Sequence, residues 1–268
     1  MKVLAPFEKL FTPYILIALN LAIILAAEFA GGGTFFADTG LMHAIVVVFI
    51  GLIVLQIFTD YSFNDHILKG FLKIQIGFLF FLGLVHLYEY IGLGITSLNS
   101  RVVELSVTAS YLLWFLGMLL ALEFVSRIYY QRKGTLVWVL TILIALVAIL
   151  ITCLHVSSSL IGILPTWFPE MMLMIIVALA VAEVSSLARM RKIMPIFMDY
   201  SNYAIPAMVL LFFASLSEYF ESTEALKIYG ISPEQNLYIS HFLIYATLSL
   251  LLIGFSKLKK PMGIYAEE

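Results

Sequence analysis

The residues able to do chemistry are few, and their spacing is regular. In FLGLVHLYEY, from Phe81 to Tyr90, His86 and Glu89 stand three residues apart, which on a helix puts both on one face. Ala27-Glu28-Phe29, Leu154-His155-Val156 and Ser217-Glu218-Tyr219 likewise end apolar runs with an ionisable residue, at a period of roughly 63 residues. A second series, His43, Glu104, Glu170 and His241, opens the runs that follow. Neutral imidazole together with carboxylate suits zinc, copper or iron, and two imidazoles from facing helices suit the iron of haem b. The metal-ligand candidates are therefore His43, His86, Glu89, His155, Glu218, His241 and Glu28. For a haem they reduce to His86, His155, His43 and His241, with Gly77, Gly83 and Gly117 leaving room for the macrocycle.

Not every ionisable residue carries the same weight. Glu28, Glu89 and Glu218 fall at helix C-termini, where the macrodipole disfavours a carboxylate by roughly 0.3–1 kcal/mol, so a positive charge nearby is expected to compensate. Glu104 and Glu170 open helices, where a carboxylate is favourable without any site, and Pro169 before Glu170 is ordinary helix-start chemistry. Glu123, four residues before Arg127, reads as an intrahelical ion pair. Glu183, ahead of Arg189, Arg191 and Lys192, reads as structural too.

These side chains have to be positioned by helices in a bilayer. Of 268 residues, 62% are hydrophobic and 12% charged, and the mean hydropathy is +1.04, far outside the range of soluble domains. A span needs on the order of 20 apolar residues, which picks out eight segments at roughly 13–30, 41–58, 71–93, 103–125, 136–157, 168–187, 203–221 and 237–256. The fold class is all-α: one polytopic transmembrane domain, 1–268, with eight transmembrane helices. The repeating ionisable residues divide it into four tandem helical hairpins, approximately 1–64, 65–131, 132–198 and 199–268. Lys2 and Lys9 run into the first span with no small-x-small cleavage site, so this helix reads as retained. The spacing places Trp138 and Trp167 at span ends as interfacial anchors, and Trp114 mid-span as packing.

Lys and Arg are enriched in cytoplasmic loops. With eight spans, the clusters at Lys69/Lys73, Arg127/Arg132/Lys133, Arg189/Arg191/Lys192 and Lys257/Lys259/Lys260 join Lys2 and Lys9 on one side, leaving Arg101 and Lys227 opposite. The sequence thus predicts a protein of the cell membrane with both termini cytoplasmic and the His/Glu level near the other face.

Several functions are excluded. No basic stripe addresses nucleic acid, and the single Cys153 rules out an intramolecular disulfide or a cysteine-based cluster within the chain. Neither Gly-x-Ser-x-Gly nor His-Glu-x-x-His occurs. The expected function is a subunit of a membrane redox complex that binds a transition metal or haem, working with other membrane subunits or as a homo-oligomer. A cation- or proton-coupled transporter is the alternative, and a non-catalytic structural or sensory subunit is a third.

Overall fold

The computed structural model describes residues 41–59, 66–95, 100–130, 135–156, 164–165, 167–223 and 228–258, together with Ala22. The expected first span and Glu28 lie outside the described residues. Seven helices account for nearly all the rest: α1 (Leu41–Thr59), α2 (His66–Ile95), α3 (Ser100–Tyr130), α4 (Thr135–Val156), α5 (Phe168–Ile193), α6 (Pro195–Thr223) and α7 (Pro233–Lys257). Each coincides with one of the expected spans. Five contain a stretch long and apolar enough to cross a membrane: Leu68–Leu87, Leu105–Ile128, Phe168–Ile193, Phe197–Phe220 and Gln235–Lys257. The apolar stretches of α1 and α4, Leu41–Leu55 and Leu136–Leu150, are shorter.

The helices outrun their apolar cores because a helix satisfies its own backbone and need not end where hydrocarbon does. The largest difference is at Arg189–Pro195. This basic stretch was expected to be a loop, yet helix continues to Ile193 and only Met194 breaks it (φ −120°, ψ 101°). Pro195 explains the break, since its ring forces the preceding residue out of the helical region and itself fits a first turn. At α7 the start is set by Ser232, whose side chain accepts from the Gln235 N–H while the Gln235 side chain accepts from the Ser232 N–H, with Pro233 in the first turn. That double bond satisfies two donors the helix leaves open. Just upstream, Gly230 takes φ 76°, a left-handed turn that suits glycine.

Packing closes five helices into a ring, in which α1 contacts α2, α2 contacts α3, α3 contacts α6, α6 contacts α7 and α7 returns to α1. α5 lies against α3 and α6, and α4 against α3. α3 is central because it is apolar all round, with Tyr111, Trp114, Phe115 and Met118 fully buried. Gly117 is part of the same fit: the Phe78 ring of α2 occupies the space a β-carbon would need. Two expected hairpins, α2 with α3 and α6 with α7, are packed pairs. The third, α4 with α5, forms no extensive contact among the described residues, since both helices use α3 instead. α4 turns Trp138, Ile142, Leu146 and Ile149 outward, an apolar face suited to lipid. Trp138 and Trp167 are exposed and Trp114 is buried, as their positions suggested.

Candidate metal centre

Three imidazoles from three helices meet inside the ring. His43 is in the first turn of α1, His86 in the second half of α2 and His241 in the first half of α7. They are 8%, 1% and 0% exposed. His43 Nδ1 lies 3.4 Å from His86 Nδ1 and 3.3 Å from His241 Nε2. One ligand-competent nitrogen from each ring lies within 4.8 Å of the other two. The His43 and His86 rings stack at 5.7 Å, while His241 meets His43 edge-on at 4.7 Å.

An imidazole nitrogen presents a single in-plane lobe, either an N–H or a lone pair. His43 Nδ1 can therefore serve only one of its two close contacts as a conventional hydrogen bond. A cation at the meeting point would use all the lone pairs at once. Ligand nitrogens about 2.0–2.1 Å from a tetrahedral ion stand about 3.3–3.4 Å apart, which is the spacing of His43 to each partner.

The tautomer of His241 follows from its surroundings. Its Nδ1 is 3.0 Å from the Leu237 carbonyl oxygen, one turn back on α7. A carbonyl only accepts, so Nδ1 carries the hydrogen and Nε2 keeps the lone pair that faces His43. Ser240 Oγ is 3.2 Å from the same Nδ1, and Glu218 Oε1, on α6, is 4.0 Å from it. An imidazole whose outer N–H is held by oxygen and whose inner nitrogen carries the lone pair is the usual arrangement of a metal-bound histidine.

Glu218 is brought there by a two-point latch. Its neighbour Ser217 donates to Asn236 Oδ1 at 2.6 Å, and Asn236 Nδ2 donates back to the Ser217 carbonyl at 2.6 Å. The two bonds fix α6 against α7 five residues before His241. A second lock joins α7 to α1: Tyr245, one turn beyond His241, donates its hydroxyl to the Met42 carbonyl at 2.9 Å, directly before His43. On α5, Glu170 accepts from Tyr219 at 3.2 Å, so this carboxylate is also an interhelical contact.

Of the seven candidates, His43, His86 and His241 are brought together and Glu218 stands beside them. Glu89 and His155 belong to α2 and α4, but their side chains lie outside the described set. Ser217, Asn236 and Tyr245 were missed because neutral polar residues in a membrane helix have no period of their own; the hint was their closeness in sequence to Glu218 and His241. The chain matches no protein family model, and no curated protein or solved structure is found to be similar to it.

Proposed function

We propose that this protein is a polytopic membrane metalloprotein of eight spans, arranged as tandem hairpins with both termini cytoplasmic. His43, His86 and His241 hold a first-row transition ion, and the chain serves as a subunit of a membrane redox complex. The convergence of three buried imidazole nitrogens at 3.3 and 3.4 Å carries this reading. All-imidazole donors suit iron or copper, and also zinc. Burial of every ligand favours an ion that stays in place over one that passes through, and a resident ion suits electron transfer better than carriage. Electrons would come from partner subunits in the same bilayer.

A bare ion is favoured over haem. The rings that would flank a macrocycle are already in contact, and the space beside Gly117 is taken by Phe78, with Ile50 in van der Waals contact at Gly83. The test is elemental analysis and the visible spectrum of detergent-purified protein. The expected result is close to one iron or copper per chain, no Soret band, and loss of the metal on His241→Ala. A Soret band would replace the ion with haem. Protein that is folded, metal-free and unable to take up iron(II), copper(I) or zinc(II) would overturn the reading, and stoichiometric zinc would overturn the redox role.

A further inference from the structure

The bundle contains a second buried ionisable group, unrelated to the histidines. Glu183 of α5 is 0% exposed, and neither carboxylate oxygen has a hydrogen-bond partner among the described residues. It was expected to belong with the basic cluster at the end of α5. Instead it faces the core, while Arg189 bonds Ser186 and Arg191 and Lys192 point outward. Thirteen residues separate it from Glu170, about 20 Å along the helix axis, so it lies far from the level of Glu218 and Tyr219.

Buried polar side chains of the neighbouring helices form a sparse layer. On α6, Tyr200 is fully buried, and its neighbour Ser201 packs on Leu187, one turn beyond Glu183 on α5. Among the described residues the Tyr200 hydroxyl has the Met118 sulfur, at 4.0 Å, as its hydrogen-bond acceptor. Gln75 Nε2 of α2 donates to the same sulfur at 3.2 Å, and Ser201 Oγ reaches the Leu187 carbonyl at 3.4 Å. Thioether sulfur is a weak acceptor, so strong donors here are spent on poor partners. The other ionisable side chains described on α3 are Tyr111, buried, and Glu123 and Arg127, partly or fully exposed; on α6 near this level they are Asp199, exposed, and Tyr203, half-buried. No Lys, Arg or His forms an ion pair with Glu183 among the described residues.

An isolated carboxylate taken out of water costs several kcal/mol unless a cation accompanies it. No basic side chain among the described residues supplies one. Among the described residues no other group lies within hydrogen-bond distance of the carboxyl oxygens, and Glu183 belongs to no cluster of metal-ligating side chains. The remaining cation is the proton. We propose that Glu183 is a proton-binding site inside the bundle, separate from the histidine centre, with Tyr200 as the hydroxyl through which the proton exchanges toward the exposed Asp199 and the α5–α6 turn. An ionisable group within a membrane span is a functional position by default, and this one has the proton as its ligand.

The test is the infrared spectrum of the full-length protein in lipid bilayers at neutral pH, in H2O and in D2O. The expected result is a carbonyl band of a protonated, non-hydrated carboxylic acid that moves on deuteration and is missing from Glu183→Gln. Glu183→Asp keeps an acid at the position, so it should retain a displaced band even where the glutamine variant folds poorly. Tyr200→Phe should slow the appearance of the deuterated band. Absence of any such band, its survival in Glu183→Gln, or a band that never exchanges would each overturn the proposal. Metal content is not part of the readout, so this result is independent of the histidine centre.

Discussion

At one end of the five-helix ring the side chains that meet across the interior are imidazoles, and at the other they are phenyl and phenol rings. Phe71 of α2 packs edge-on against Phe197 at 5.3 Å and Tyr200 at 5.6 Å, and Tyr200 meets Phe255 of α7 at 5.5 Å. The same helices, α2 and α7, supply His86 and His241 to the opposite end. Ring geometry is similar at both ends, but the chemistry differs. Aromatic edges and faces satisfy one another by quadrupole and dispersion, so these rings pack without a ligand between them. Three imidazole nitrogens within 4.8 Å of one another form a grouping that could hold a metal ion. The aromatic rings serve packing, whereas the imidazoles bring together ligand-competent nitrogens.

Substitution at each end should separate these roles, and here the largest effects are expected. Phe71→Ala removes a fully buried ring and should cost about 3–5 kcal/mol of stability, with metal content per folded chain unchanged. His86→Ala should do the reverse. Loss of one of three ligands should weaken metal binding by more than the roughly 10–100-fold seen for loss of an outer partner, with a smaller change in unfolding midpoint. Parallel denaturation and elemental analysis of the two variants check this. If His86→Ala lost stability like Phe71→Ala and kept its metal, the two ends would be the same kind of core.

Acidification sharpens the contrast. Protons compete with a metal for the same imidazole lone pair, so occupancy should fall steadily as pH drops below neutral, while ring packing at the aromatic end takes no part in that competition. Equilibrium dialysis against a chelator across pH is the measurement; an occupancy that stays constant into strongly acidic buffer would mean the ion is held by other groups. A smaller effect is expected for Glu218→Gln. The carboxylate lies 4.0 Å from His241 Nδ1 and acts through that ring, so affinity should fall roughly 10-fold, measured by chelator competition. No change would reduce Glu218 to a neighbour.

The two ends were not equally legible in the sequence. His43, His86 and His241 stood out because an imidazole in an apolar helix is rare, and alternating helix direction put them at one level before any packing was known. Helix existence was legible for the same reason: apolar runs of span length admit one backbone solution in lipid. Neighbour relations were not. The repeat paired α4 with α5, but hydropathy is blind to which apolar helix packs on which, and the all-round burial of α3 decided the matter. The burial of Glu183 was not foreseen because its sequence neighbours Arg189, Arg191 and Lys192 suggested a charged end, while its place with Leu187 and Met190 on the buried stripe of α5 turned it inward. Helical spacing would have revealed that stripe had it been weighed against local charge.

The smallest expected effect concerns how the histidine end is held. Tyr245 donates to the Met42 carbonyl across the α1–α7 contact, in the first turn of α1, and the residue that carbonyl precedes is His43. Removing the hydroxyl in Tyr245→Phe keeps the ring and its packing against Phe49 at 6.0 Å, so only the hydrogen bond is lost. A bond between membrane helices is worth about 0.6 kcal/mol on average, which sets the stability change to look for in denaturant titration. The metal should respond more than that figure implies, because the lost bond fixes the backbone of a ligand and not merely the pairing of two helices. Cobalt(II) substituted at the site reports this directly, since its visible bands follow ligand geometry: a changed spectrum with near-unchanged stability assigns Tyr245 to positioning His43. An unchanged spectrum would show that His86 and His241 alone dictate where the His43 ring must stand.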